Sequence, residues 1–421
     1  VLFARRSRHR RPDAPPAAPE RVLLRFADAP GDAPGDAPGD APGDPGDGQE
    51  DAPHEDLSAV AVTGDAVWLA GDEGTSLERL VRDADGSFGA RTRFPLSDLL
   101  DLPGDADEEV DVEGIDLADG WLWVVGSHAS ARRKADPSDT DVRAQLERLA
   151  TVRAGGNRHL LARIPVVRGA DGHPALARAV PGEDGGASRC AARLRGGRRR
   201  SALTRALRRD EHLGPSLAMP SKENGLDVEG LAAVGPRLLL GLRGPVLRGL
   251  AVILEVEPRP GKRRPERLTL ARIGPGGRRY RKHFLDLCGL GVRDLCVDGD
   301  DVLILAGPTM TLDGRCAVFR WRGAAAAAAA ARGGPVRAEG DRKARGDDAP
   351  ADDTLAGDDV LEVALELPYG VGTEEGLEHP EGIAFVPDRT GRRALLVVHD
   401  SPADHRRRGP HAIEADLYRL A

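Results

Sequence analysis

Three glutamate-glycine pairs carry the chemistry that this sequence most readily suggests. They lie in DVEGID from Asp111, DVEGLA from Asp227 and HPEGIA from His379, each opening an apolar run. Converging carboxylates raise one another's pKa unless a cation or an arginine neutralises them. Glu113, Glu229 and Glu381, if brought together, would therefore suit a hard divalent ion such as calcium. Two degenerate copies extend the set: LSAVAV from Leu57 places Ser58 at the glutamate position, and VRDLCV from Val292 places Arg293 there, beside Asp294. Asp111 and Asp227 precede their glutamates by two residues, on the same face of a strand, and are further candidate ligands.

A second apolar run follows each motif after a tight turn, and polar residues end it abruptly. AVWLAGDE delivers Asp72 and Glu73, LWVVGSH delivers Ser127 and His128, RLLLGLR delivers Arg243, VLILAGP ends at Pro308, and ALLVVHD delivers His399 and Asp400. The expected assignments are His128 and Glu229 as proton carriers, and Glu113, Glu229 and Glu381 as metal ligands. Ser58, Asp72, Glu73, Arg243, Arg293, Asp294, His399 and Asp400 are the expected ligand-binding residues. A serine nucleophile is not expected, because Ser127 and His128 point to opposite faces and no G-x-S-x-G turn exists. Nor does a glycine-rich loop precede a helix as phosphate binding would require, so no nucleotide cofactor is expected.

The element that must position these residues is one hairpin used five times. Its turns carry Gly64-Asp65, Asp119-Gly120 and Asp298-Gly299 between the paired runs. Repetition of a unit that cannot bury its own faces points to a radial architecture without open edges. The expected fold is all-β, a β-propeller with five recognisable blade repeats, with room for a sixth in 85–110 or 255–285, and with helical and disordered insertions. First strands would line the central channel, bringing Ser58, Glu113, Glu229, Arg293 and Glu381 into one ring. The glycine after each glutamate would then allow close backbone approach near the axis. RVLLRF from Arg21 is expected to close the ring against DLYRL from Asp416.

Composition sets the domain plan. Residues 1–50 read as a basic tail, the closing strand at 21–26 and a disordered tract of four APGD units at 29–44; residues 51–421 read as one propeller domain. Inserts are expected near 132–158, 170–223 and 323–358, with 170–215 and 323–358 outside the packed core. A helix is expected from Val142, with Ser138 to Asp141 as its capping box and Val142, Leu146 and Leu149 as its stripe. A second is expected near Ser201 to His212, and transient helicity in the alanine run from Ala324. With aromatic residues at only 3%, a β core has to be built from aliphatic side chains.

Sixty basic residues against 68 acidic ones leave the chain mildly acidic, so the whole protein is not a polyanion binder. The arginine runs at Arg5 to Arg11 and from Arg193 lack interleaved aromatics and a nucleic-acid module, and solvated charge is the expectation for both. Cys190, Cys288, Cys296 and Cys316 show no CxxC spacing and are expected to be reduced. No signal peptide or membrane span is expected, which gives a soluble, cytoplasmic reading.

The strings DLSAV, GDEGT, DVEG, GSHAS, KENGLDVEGL, GLRGPVLRG, GVRDL, GPTM and PEGI together resemble the bacterial family catalogued as domain of unknown function 3616, over most of residues 55 to 400. That resemblance implies the repeated unit and no activity. More distantly, the Glu-Gly strand openings are similar to those of calcium-dependent propellers such as phytase-like and gluconolactonase-like enzymes, an analogy of architecture. Three functions are open at this point. One is binding of a small anionic or metal-bridged ligand at one end of the channel. Another is metal-dependent hydrolysis of a small ester, lactone or phosphoester, and the last is a protein-interaction platform whose partner the sequence does not name.

Overall fold

The five hairpins fold as antiparallel pairs in the computed structural model, which describes residues 18–27, 55–136, 138–182, 188–310, 314–330, 353–357, 359–368, 372–373 and 376–420. Leu57–Thr63 pairs with Ala66–Gly71, Val112–Ala118 with Trp121–Gly126, and Asp227–Val234 with Arg237–Leu247. Gly291–Asp298 pairs with Asp301–Gly307, and His379–Pro387 with Arg393–Asp400. These first strands are buried on both faces, and every residue of Asp227–Val234 is buried. That is why they read in the sequence as nearly continuous apolar runs rather than alternating ones.

Two further strands extend each hairpin outward. The first hairpin gains Ser76–Arg82 and Phe88–Pro95, the second Leu161–Arg168 and Ala192–Leu194, and the third Leu250–Val256 and Tyr280–Asp286. The fourth gains Cys316–Trp321 and Leu361–Leu367, and the last gains Ala412–Tyr418 and then Glu20–Arg25. The stretches 85–110 and 255–285 thus supply outer strands to existing sheets.

The inner strands are neighbours in a cycle, each packing beside the next and the last, His379–Pro387, packing beside the first, Leu57–Thr63. Aliphatic cores fill the spaces between successive sheets. Trp68 and Ala59 share one core with Leu122 and Ile164, and Val125 and Leu161 share the next with Leu240 and Val252. Leu239 and Ile253 meet Ile304 and Phe319, Leu305 and Val318 meet Leu395 and Val397, and Leu396 and Val398 meet Leu57 and Leu69.

Polar links register the inner strands against one another. The Asp116 carboxylate accepts from the Ala233 amide at 2.7 Å, and the Asp294 carboxylate accepts from the Ile383 amide at 2.7 Å, each from a neighbouring strand. Ser58 Oγ donates to the Val112 carbonyl of its neighbour. The glycines after the glutamates sit where these backbones come closest: a Cβ on Gly230, whose φ is +82°, would lie 2.6 Å from the Asp294 Cα. One on Gly114 would lie 3.0 Å from the backbone of Gly230 and Leu231. A larger residue at Gly230 would force a strand to move, and one at Gly114 would be in tight contact with the neighbouring strand.

The inserts depart from expectation. Residues 170–215 do not stand outside the core, because Leu194, Leu203, Leu207 and Leu213 are buried among the side chains of the second and third sheets. Arginine and glycine dominate the composition around them, as in RLRGGRRR from Arg193, yet each of these leucines anchors in the core. Ala202–Leu207 is helical, with a capping box between Ser201 and Thr204. Ala324–Ala330 forms a helix with Ala324, Ala325 and Ala328 buried. The helix Val142–Ala150 is capped by the Asp141 side chain rather than Ser138, and its stripe of Val142, Leu146 and Leu149 faces solvent. The APGD tract lies outside the described residues. Cys190, Cys288, Cys296 and Cys316 are all free thiols, and among the described residues no helix is long and apolar enough to cross a membrane.

Glu20–Arg25 pairs antiparallel with Ala412–Tyr418 from Glu20 opposite Leu417 to Arg25 opposite Ala412, and Leu24 is fully buried between sheets. The N-terminal strand therefore completes the sheet that contains the C-terminal one. Leu24→Ala is expected to destabilise the protein by about 2–5 kcal/mol, read from urea unfolding. An unchanged midpoint would mean that this strand does not hold the chain ends together.

Candidate functional site

Each inner strand has a register shift at the residue that the repeat alignment singles out. Leu57 faces Gly71 and Ala59 faces Ala70, leaving Ser58 as the extra residue. The same holds for Glu113 between Val112 and Gly114, Arg293 between Val292 and Asp294, and Glu381 between Pro380 and Gly382. In the third sheet the shift covers Glu229 and Gly230. A bulge turns its extra side chain out of the ladder, and strands arranged in a cycle turn five of them toward one place.

Two arginines organise part of this ring. Arg243 reaches Glu229 Oε1 through Nη1 at 2.8 Å and pairs with Asp227 through Nη2. Arg293 pairs with Glu381 through Nη1, lies 3.4 Å from Glu229 Oε2, and donates through Nη2 to the Pro308 carbonyl at 2.9 Å. It thus spans the strands on either side of its own. Arg158, in a 3-10 turn of the insert, pairs with Glu109 at 2.6 Å and lies 3.3 Å from Asp111. No signal in the sequence marked Arg158, which lies far along the chain from either partner motif.

Negative charge remains in excess. One carboxylate oxygen from each of Glu113, Asp227 and Glu229 lies within 4.8 Å of the others. Asp227 and Glu229 have Arg243, whereas Glu113 has no ion-pair partner among the described residues. Burial, then the neighbouring Glu229, Asp111, Asp227 and Asp72 carboxylates, push Glu113 well above the usual carboxylate range. Burial also raises Glu229 and Glu381 despite their arginines, and it raises Asp111 despite Arg158. Asp72 is pushed up to about 8, first by burial and then by Asp400, Asp111, Asp56 and Glu73.

Not every expected residue joins this group. The backbone of His128 is left-handed at φ 54°, and its ring is buried, with Nδ1 donating to the Gly126 carbonyl at 2.9 Å and the edge against His159. Burial and His159 lower its pKa to about 3, and no carboxylate acts on it, so it is a neutral packed imidazole away from the ring. His399 faces the other way from Asp400, toward Arg406 at 3.4 Å and Asp416 at 3.8 Å, and burial lowers its pKa to about 4. Neighbours on a strand point to opposite faces, which explains why only Asp400 reaches Asp72. The Asp294 carboxylate is occupied by the Leu295 and Ile383 amides, and the Ser58 hydroxyl by two backbone carbonyls. Glu73 is exposed beside Asp72. The structure therefore gathers Asp72, Asp111, Glu113, Asp227, Glu229, Arg243, Arg293, Glu381 and Asp400.

An all-β chain with a charged site at bulged strand positions defines a class by architecture, and comparison with known proteins adds a family. The chain belongs to the family described as "Protein of unknown function (DUF3616)", whose model matches residues 56–338 and 342–416. No curated protein gives a significant match. Among solved structures, the chain is similar to the glutaminyl cyclase of Myxococcus xanthus, with 10% identity, 88% of this chain and 93% of that one covered, and a TM-score of 0.35. It is also similar to the periplasmic gluconolactonase of Pseudomonas aeruginosa, with 14% identity, 81% and 77% covered, and a TM-score of 0.28. Likenesses of this strength say nothing about substrate or metal.

The raised carboxylates fix a pH dependence. Asp72 titrates near 8 in the folded protein against about 3.9 unfolded, so the native state holds a proton that the unfolded chain has released. The stability from such groups is fully present below the unfolded pKa and is lost as pH rises through the folded pKa. In chelator the melting temperature should fall between about pH 5 and about pH 9 more steeply for the wild type than for Glu113→Gln. Parallel curves for the two proteins would show that Glu113 does not feel its neighbours.

Proposed function

We propose that the chain is a five-bladed β-propeller that binds a divalent cation, calcium foremost, at one end of its axis, and through that ion a small anionic ligand. The observation that carries this reading is the approach of Glu113, Asp227 and Glu229 to within 4.8 Å, with no ion pair to Glu113 among the described residues and its carboxyl pushed well above the usual range. Calcium accepts six to eight oxygens at about 2.3–2.6 Å in flexible geometry, so three carboxylates leave positions for water and for a ligand oxygen. The arginines do not favour direct capture of an anion, because Arg243 is taken by two carboxylates and Arg293 by Glu381, Glu229 and a carbonyl. Asp111, buried with one oxygen free of hydrogen bonds, stands beside the same group.

Hydrolysis is the second reading, and Asp72 favours it. Its Oδ1 makes no hydrogen bond, and its pKa of about 8 lets it hold or release a proton near neutrality. A bound metal would polarise a carbonyl or phosphoryl oxygen, and Asp72 or Glu229 would move the proton. His128 is not part of this scheme.

Calorimetric titration with calcium should show one site in the wild type, weakened by about 10–100-fold or more in Glu113→Gln, since loss of even an outer-shell partner has that effect. At a hundredfold excess over its dissociation constant the ion should stabilise the fold by about 2.7 kcal/mol. Absence of heat and of any melting shift with calcium, magnesium and manganese would remove the cation reading. Turnover of lactone, ester or phosphoester substrates that chelator and Glu229→Gln both abolish would decide for hydrolysis; binding without turnover would decide for recognition alone.

A further inference from the structure

Away from the axial carboxylates, the outer edge of the second sheet holds a cavity of about 330 Å³. It lies where Ala192–Leu194 pairs parallel with Arg267–Leu270, and the connection through Leu99 and Leu100 covers one side. Its walls divide by chemistry. Leu99, Leu100 and Ala191 are buried and give an apolar floor, while Arg178, Arg193, Arg267, Asp101 and Glu266 supply charged walls. Three guanidinium groups against two carboxylates leave one positive charge in excess.

Arg193 is the residue that asks for a ligand. Its side chain is only a tenth exposed, and burial depresses its pKa. Nε donates to the Asp101 carbonyl and Nη1 to the Leu194 and Gly196 carbonyls, at 3.5 and 3.2 Å. Among the described residues Nη2 makes no hydrogen bond, and its ion-pair partner, Asp101 Oδ2, is 3.8 Å away. The same oxygen is 3.8 Å from Arg267 Nη2, and the Asp101 side chain is 73% exposed. The Asp101 carboxylate thus stands between two arginines in long ion pairs, hydrogen-bonded to neither guanidinium, at the place where a freely oriented anion could bond both.

We propose that this cavity binds a small organic anion, a carboxylate or phosphate monoester with a short apolar body. The anionic head would take Arg193 Nη2 and Arg267 Nη2, displacing Asp101 toward solvent, and the body would lie on Leu99, Leu100 and Ala191. Direct hydrogen bonds to a poorly compensated buried guanidinium give the head its affinity, and the floor separates organic from inorganic anions. The site is independent of the axial cation.

Cys190 lines the same cavity as a free, partly buried thiol and reports on it directly. Alkylation by iodoacetamide, followed at Cys190 by peptide mass, would be timed with butyrate, butyl phosphate or inorganic phosphate, each against chloride at equal ionic strength. Butyrate or butyl phosphate should slow the reaction about tenfold when present at about ten times its dissociation constant; the better of the two identifies the head group. Arg267→Gln, at a side chain 38% exposed, should abolish the protection, and Arg193→Gln should do the same if it folds. Protection no better than that of chloride, protection by inorganic phosphate alone, or protection that survives Arg267→Gln would each overturn the proposal.

Discussion

One residue too many at the same point of five inner strands is the constraint from which the site follows. Ser58, Glu113, Glu229, Arg293 and Glu381 occupy those points, and each leaves its ladder because its partner strand has no residue to face it. The neighbouring backbones then approach so closely that a side chain at Gly230 would force a strand to move, and one at Gly114 would be in tight contact with the neighbouring strand. Carboxylates are thereby forced together in a region that cannot hydrate them fully, and the charge has to be balanced from within or by a ligand.

Internal balance is partial. Arg243 answers Asp227 and Glu229, and Arg293 joins Glu229 to Glu381 across its own strand, so two guanidinium groups tie three successive strands. Ion pairs this deep add little net stability over apolar packing, yet removing one partner exposes the other as a buried, uncompensated charge. What they leave over, centred on Glu113 and Asp72, is the charge that the proposed cation would neutralise.

Much of this was legible in the sequence, for a physical reason. A repeated hairpin places equivalent residues at equivalent heights, so alignment alone put Glu113, Glu229, Arg293 and Glu381 together, with Arg243 and Asp400 at the neighbouring strand ends, while Ser58, at the same bulge, spends its hydroxyl on backbone carbonyls. Orientation was harder to read. His128 and His399 end apolar strands as Asp72 and Asp400 do, but a left-handed turn buries the one against His159, and strand alternation points the other at Arg406. Asp294 reads like a ligand and serves as a clip between strands. Contacts from inserts were harder still: no signal marks Arg158, which reaches Asp111 from a short turn, and the helix expected near Ser201 to His212 reads as part of an outlying insert although Leu203, Leu207 and Leu213 enter the core.

Anomalous diffraction from crystals grown with manganese, a divalent ion visible at its own absorption edge, tests the central claim most directly. The account predicts one strong peak at bonding distance, about 2.0–2.6 Å, from carboxylate oxygens of Glu113, Asp227 and Glu229. A map with no peak there, while Arg243 and Arg293 hold their carboxylates and Glu113 stands alone, would contradict it and leave the ring a structural knot of the inner strands.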